Sequence, residues 1–95
     1  MNRYEAMFII KPELSEDERK VLFNQIQEAI TKNNGKVSLA DIWSEKKRLY
    51  FPIKRHQEGV YYLASFVLPA EAVAKIREAY HINENILRVM ISRLK

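Results

Sequence analysis

The feature that most constrains this chain is the order in which its apolar periodicity changes. Strand side chains repeat every two residues and helical ones about every 3.6, so a segment patterned for one cannot bury its apolar side as the other. In RYEAMFIIK, residues 3–11, Tyr4, Ala6, Phe8 and Ile10 share one face, and Glu5, Met7, Ile9 and Lys11 share the other. Pro12 ends that strand. Ser15 with Glu18 has the spacing of a capping box, and Glu16 and Asp17 suit the positive end of a helix dipole. Leu22, Ile26, Ala29 and Ile30 then recur at helical spacing to about Lys32. NNG at 33–35 stops the helix, with Gly35 able to take a positive φ.

The second half repeats the alternation. KVSLADIWS, 36–44, reads as a strand that residues 49–54 continue in extended form. Pro52 cannot donate to a ladder, which makes that part an edge strand or a bulge. HQEG, 56–59, reads as a turn, and VYYLASFVL, 60–68, as a third strand rich in aromatic and branched residues. Pro69 suits the start of a short helix bearing Val73, Ile76 and Tyr80. HINEN is a loop. ILRVMISRL, 86–94, is a fourth strand with Leu87, Val89 and Ile91 expected toward the core and Arg88 and Met90 opposite them. The order β-α-β-β-α-β predicts one α+β domain over 1–95. Two right-handed crossovers joined by a hairpin make a four-stranded antiparallel sheet with two helices on one face.

Enzyme chemistry finds little purchase here. The chain has no cysteine, which excludes disulfides and thiol catalysis. His56 and His81 fall in predicted loops with no ligand partner at metal spacing, so no metal site is expected. Two glycines cannot build a phosphate-cradling loop, and no serine sits in a nucleophile elbow. No catalytic residue, cofactor or small-molecule substrate is expected. The opening MNRYEAMFII does not read as a signal peptide, and no apolar run approaches the ~20 residues of a membrane span. A cytoplasmic protein with no membrane partner is the expectation.

The charge distribution points elsewhere. The net charge is +4, yet Lys46, Lys47, Arg48, Lys54, Arg55, Arg88, Arg93 and Lys95 lie in two acid-free stretches, 46–55 and 86–95. The rest of the chain holds eight basic against twelve acidic residues. Such asymmetry suits a polyanionic partner, while a merely solvated basic surface is the plainer alternative. In EKKRLYFPIKR, 45–55, Leu49, Phe51 and Ile53 can hold an edge strand to the core while cations face outward to phosphate. The same lysines could instead only protect a solvated edge. The third strand, EGVYYLASF, does not fit the RNA-recognition-motif pattern, because Glu58 stands where a cation is expected and the aromatic spacing differs.

The whole chain resembles the bacterial small-subunit ribosomal protein six family. The resemblance rests on RYEAMFIIKPELSEDE, NNGKV, the Trp43 region, LYFPIK, EGVYYLASF and ILRVMISR. Leu49, Pro52 and Ile53 match the central motif, whereas Ser44 or Glu45 replaces its glycine, and Tyr50 and Phe51 depart from it. The resemblance implies a ferredoxin-like fold and a structural, non-enzymatic role in translation. It implies binding to the central domain of small-subunit ribosomal RNA jointly with small-subunit ribosomal protein eighteen. By position it implies Arg3, Tyr4 and Arg88 on the surface facing RNA and partner, with Lys46, Lys47 and Arg48 as the basic residues before Leu49. Lys54, Arg55 and Arg93 join this set from the two basic stretches. Two alternatives of the same topology are a small dimeric enzyme and a metabolite-sensing regulatory module. The first needs an anion loop after the first strand, where the acidic KPELSED stands, and the second needs interface glycines that are scarce.

Overall fold

Two crossovers and a hairpin are what the chain forms. A computed structural model describes residues 1–53 and 56–94, and the side chains of 1–44 and 58–94. In chain order the elements are β1 (Asn2–Ile10), α1 (Glu16–Lys32), β2 (Lys36–Ile53), β3 (His56–Leu68), α2 (Val73–His81) and β4 (Ile86–Leu94). A single 3₁₀ turn, Ala70–Ala72, leads into α2. The strands lie in the order β2-β3-β1-β4, all neighbours antiparallel. This is the four-stranded antiparallel sheet expected from the order of elements and the ferredoxin-like fold that the resemblance implies.

α1 begins where the sequence says it should. The Glu18 amide donates to Ser15 Oγ at 3.2 Å, and the Ser15 amide donates to Glu18 Oε1 at 3.0 Å. This closed box satisfies two of the orphan donors of a helix start. At the other end the left-handed residue is Asn34, at φ 67°, and not Gly35. The Gly35 amide donates to the Ile30 carbonyl at 2.9 Å and that of Asn34 to Thr31 at 3.2 Å, the paired bonds of a Schellman stop. Asparagine tolerates that conformation, and glycine is needed one residue later for a different reason. A Cβ on Gly35 would come within 2.8 Å of the Ile30 carbonyl oxygen and of Leu68 Cδ1. The chain must leave the helix pressed against its own last turn.

The covered face of the sheet is the core. Tyr4, Ala6, Phe8 and Ile10 of β1 pack with Val60, Tyr62, Ala64, Phe66 and Leu68 of β3. Leu22, Ile26 and Ile30 of α1, with Ile76 and Tyr80 of α2, close over them. The Phe8 ring meets Tyr80 edge-on at 4.8 Å, and Phe23 stacks flat on Tyr62 at 4.1 Å. The hydroxyls of these two tyrosines have partners: Tyr80 Oη donates to the Ile26 carbonyl at 2.6 Å, and Gln27 Nε2 donates to Tyr62 Oη at 3.2 Å. Burial pushes the ionisation of both phenols up, because a phenolate cannot be solvated there.

Two expectations are corrected by the register. HQEG is not a turn: β3 already begins at His56, which pairs with Ile53 of β2. Leu87 does not share a face with Val89 and Ile91. Arg88 opposes Ile9 and Ile86 opposes Ile10, so Leu87 is the extra residue of a bulge. It is 6 % exposed, in a small cluster with Ile9 and Tyr61 apart from the main core. Val89 and Ile91 do line the main core, half-buried.

Candidate nucleic-acid interface

With both helices on one side, the other face of the sheet stays open, and the register decides what it displays. Opposed residues on antiparallel strands point the same way. Four rows therefore cross β3, β1 and β4: Val67–Arg3–Leu94, Ser65–Glu5–Ser92, Leu63–Met7–Met90 and Tyr61–Ile9–Arg88. β2 extends them with Lys36, Leu39, Asp41 and Ser44. The Leu63–Met7–Met90 row is apolar, the Ser65–Glu5–Ser92 row is polar, β2 adds Asp41, and Arg3 and Arg88 lie in the two outermost rows. Arg3 and Arg88 stand at opposite ends of the β1–β4 ladder, about 20 Å apart at ~3.4 Å per residue.

The apolar content of this face is more than a solvated sheet requires. Leu39 is 59 % exposed, Trp43 54 % and Met90 39 %. Trp43 reaches the face through irregular pairing: Ile42 opposes Tyr62 and Ser44 opposes Tyr61, leaving Trp43 as the extra residue. Its ring lies 5.7 Å from that of Tyr61, tilted by 48°. The Trp43–Tyr61 pair, and the Ile9–Leu87–Tyr61 cluster below it, escape a reading by simple alternation. Only the surplus of aromatic residues in both strands hints at them.

The cations expected to bind sort into three groups. Arg3 and Arg88 are exposed on the open face. Arg93 opposes Tyr4 and so lies on the helix side of β4; its Nη2 donates to Asn2 Oδ1 at 3.1 Å. Arg3 and Arg93 nevertheless line one hollow at the end of the sheet, with Asn2 and Leu94 between them. Lys46, Lys47 and Arg48 form the third group. Their backbone belongs to β2, with Lys47 opposite Gly59 and Arg48 opposite Glu58, and their side chains lie outside the described residues. Lys54 and Arg55 lie outside them altogether, as do the facings expected of Leu49, Phe51 and Ile53. β1 makes its last pair at Ile10–Val60, so the backbone carrying Lys47 and Arg48 runs on past the end of β1.

Tyr4 is corrected from surface to core. It is 6 % exposed, stacks on Phe66 at 6.0 Å, and accepts a 3.4 Å hydrogen bond from Asn2 Nδ2 at its hydroxyl. Asn2 thereby ties the core ring of Tyr4 to the guanidinium of Arg93.

Chemically, exposed guanidiniums can make bidentate, charge-assisted contacts to phosphate oxygens, and the apolar middle can desolvate against protein. Among the described residues, the groups whose ionisation is shifted serve the fold. Glu18 is held below the usual carboxylate range by the Ser15 amide and hydroxyl, and Tyr62 and Tyr80 are shifted upward by burial. All three shifts are accounted for by capping or packing. Among the described residues no three His, Asp or Glu side chains gather to hold a metal, and no helix is long and apolar enough to cross a membrane.

The chain is similar to known proteins along nearly its whole length. The profile of the family described as Ribosomal protein S6 matches residues 3–93. The chain is 36 % identical over 95 residues to small ribosomal subunit protein bS6 of Dictyoglomus turgidum, covering 100 % of this chain and 97 % of that one. It is 32 % identical over 93 residues to bS6 of Caldanaerobacter subterraneus subsp. tengcongensis, covering 98 % and 97 %. The crystal structure of 30S ribosomal protein S6 from Thermotoga maritima superposes with a TM-score of 0.89 at 26 % identity, over 98 % of this chain and 87 % of that one.

Proposed function

The chain belongs to the ribosomal protein S6 family, and from that premise we propose that it binds the central domain of small-subunit ribosomal RNA jointly with small-subunit ribosomal protein eighteen. Its relatives are structural ribosomal proteins of the bacterial cytoplasm, and it is not an enzyme. The observation that carries the joint binding is the composition of the open sheet face. Arg3 and Arg88 bracket the apolar row of Met7, Leu63 and Met90, with the polar row of Glu5 between it and Arg3. Cations at the rim suit phosphates, and an apolar centre suits a protein. Arg93 adds a third cation at the Arg3 corner, and Lys46, Lys47, Arg48, Lys54 and Arg55 add charge along 46–55.

A footprint this small gives weak binding to RNA alone at physiological salt, because each neutralised phosphate contributes only one increment of counterion release. A filter-binding titration with and without the partner protein tests this, with tightening expected in its presence; nanomolar binding by the chain alone overturns it. Replacing Lys46, Lys47 and Arg48 together by glutamine should flatten the salt slope by roughly two to three units. An unchanged slope in a folded triple variant assigns the phosphate contacts to Arg3 and Arg88 instead.

A further inference from the structure

The two edges of the sheet are built differently. β2 has repeated register shifts against β3 and carries Pro52, both of which discourage another strand from adding to it. β4 pairs with β1 on one side, and among the described residues nothing pairs with the other. Between Ile86 and Leu94 it holds no proline and no lysine, and its register shift lies at its start. From Arg88 onward it is a regular edge, whose alternate N–H and C=O groups point outward.

A groove of about 520 Å³ runs between the first half of this edge and α2. Ala74, Leu87 and Val89 make its lining largely apolar. Arg77 on α2 and Arg88 on β4 put a guanidinium on each side, and neither has an ion pair or hydrogen bond among the described residues. Glu78 is the acid on the lining, so two guanidiniums outweigh one carboxylate.

We propose that the β4 edge and this groove take an extended peptide segment of a partner protein, added to the sheet as a fifth strand. Its main chain pairs with β4, its apolar side chains lie against Ala74, Leu87 and Val89, and a carboxylate sits between Arg77 and Arg88. In strand addition the main-chain bonds supply affinity and the flanking pockets supply selection. The charge excess selects an acidic over a basic segment. Leu87 and Arg88 are shared with the open side, whereas Ala74, Arg77, Glu78 and Val89 are not, and the proposal does not depend on RNA binding.

The test uses the full chain, labelled with nitrogen-15, and two capped ten-residue peptides of alternating valine and threonine. One carries glutamate at its centre and the other lysine. Amide shifts are expected on 88–94 and on α2, with the glutamate peptide binding about threefold or more tightly. Hydrogen exchange at outward β4 amides should slow when it binds. Arg77→Glu, which leaves the RNA-facing residues intact, should reverse the preference while the melting midpoint stays in place. Absence of shifts at millimolar peptide overturns the proposal, as does equal affinity for the two peptides. Shifts confined to the open sheet face, or unchanged β4 exchange, would also overturn it. Concentration-dependent β4 shifts without peptide would assign the edge to a second copy of this chain and overturn it too.

Discussion

Phe8 and Met7 are neighbours in the chain and face opposite ways from one strand. Phe8 is fully buried and meets Tyr80 edge-on, whereas Met7 lies half-buried between Leu63 and Met90. Both sides of β1 are rich in apolar residues, so strand patterning alone does not distinguish them. What distinguishes them is that α1 and α2 lie over one side. There Leu22, Ile26, Ile30, Ile76 and Tyr80 complete a close-packed core. On the open side the apolar residues bury only as far as Ile9, Leu87 and Tyr61 can cover one another. The covered face holds the fold together, and the open face keeps apolar surface that a partner can still remove from water.

The largest expected effect tests the covered face. Phe8→Ala should cost about 3–5 kcal/mol, because the ring has no exposed side through which the gap can collapse. Met7→Ala should cost under ~1 kcal/mol by the partial burial of its side chain. Chemical denaturation of the two variants measures the contrast, and equal losses would erase the distinction between the faces. Leu87→Ala comes next, at about 2–3 kcal/mol, since its cluster is buried but small. A loss as large as that of Phe8→Ala would place the cluster within the main core. Gly35→Ala should follow, at about 1–3 kcal/mol from overpacking against the Ile30 backbone and Leu68. A neutral result would mean the helix end can move away from β3.

Smaller effects lie at the rim. Ser15→Ala should remove about 1 kcal/mol, the usual worth of an N-cap. The same box makes a pH prediction. Hydrogen bonds from Ser15 hold the Glu18 carboxyl below its ordinary value. Its contribution is therefore present above the unfolded glutamate pKa of about 4.3 and is lost as pH falls through the lower folded value. The stability gap between the parent chain and Glu18→Gln should close on acidification, and a gap that widens would contradict the box. The smallest effect belongs to the open face. Arg88→Ala should leave the melting midpoint within the range of an exposed substitution, about 0.5 kcal/mol, while impairing assembly. A large midpoint drop would make Arg88 a structural residue.

Much of this was legible without coordinates. Period two in 3–11, the box at Ser15 and Glu18, and the switch back to strand after Gly35 each carry their own physical signal. What escaped was register. The shift between Ile9 and Ile10 moved Leu87 to the other face, and irregular pairing of β2 carried Trp43 out beside Tyr61. A bulge leaves no mark in composition, because any residue can occupy it. Tyr4 was misassigned for the opposite reason. Its place beside Arg3 suggested the surface, while its period-two companions Ala6, Phe8 and Ile10 already pointed inward.

The sequence by itself determined the number, order and type of the elements, and through them the four-stranded sheet with helices on one side. Those features follow from local periodicity and from caps and breakers that act within a few residues of themselves. Only the tertiary structure decided which cations share a surface. Arg3 and Arg88 are 85 positions apart in the chain and flank one sheet face because β1 lies beside β4. Arg77 and Arg88 line one groove because α2 packs beside β4 on the covered side of the sheet. Such juxtapositions are set by strand order and register, which are long-range properties, and no local pattern along the chain encodes them.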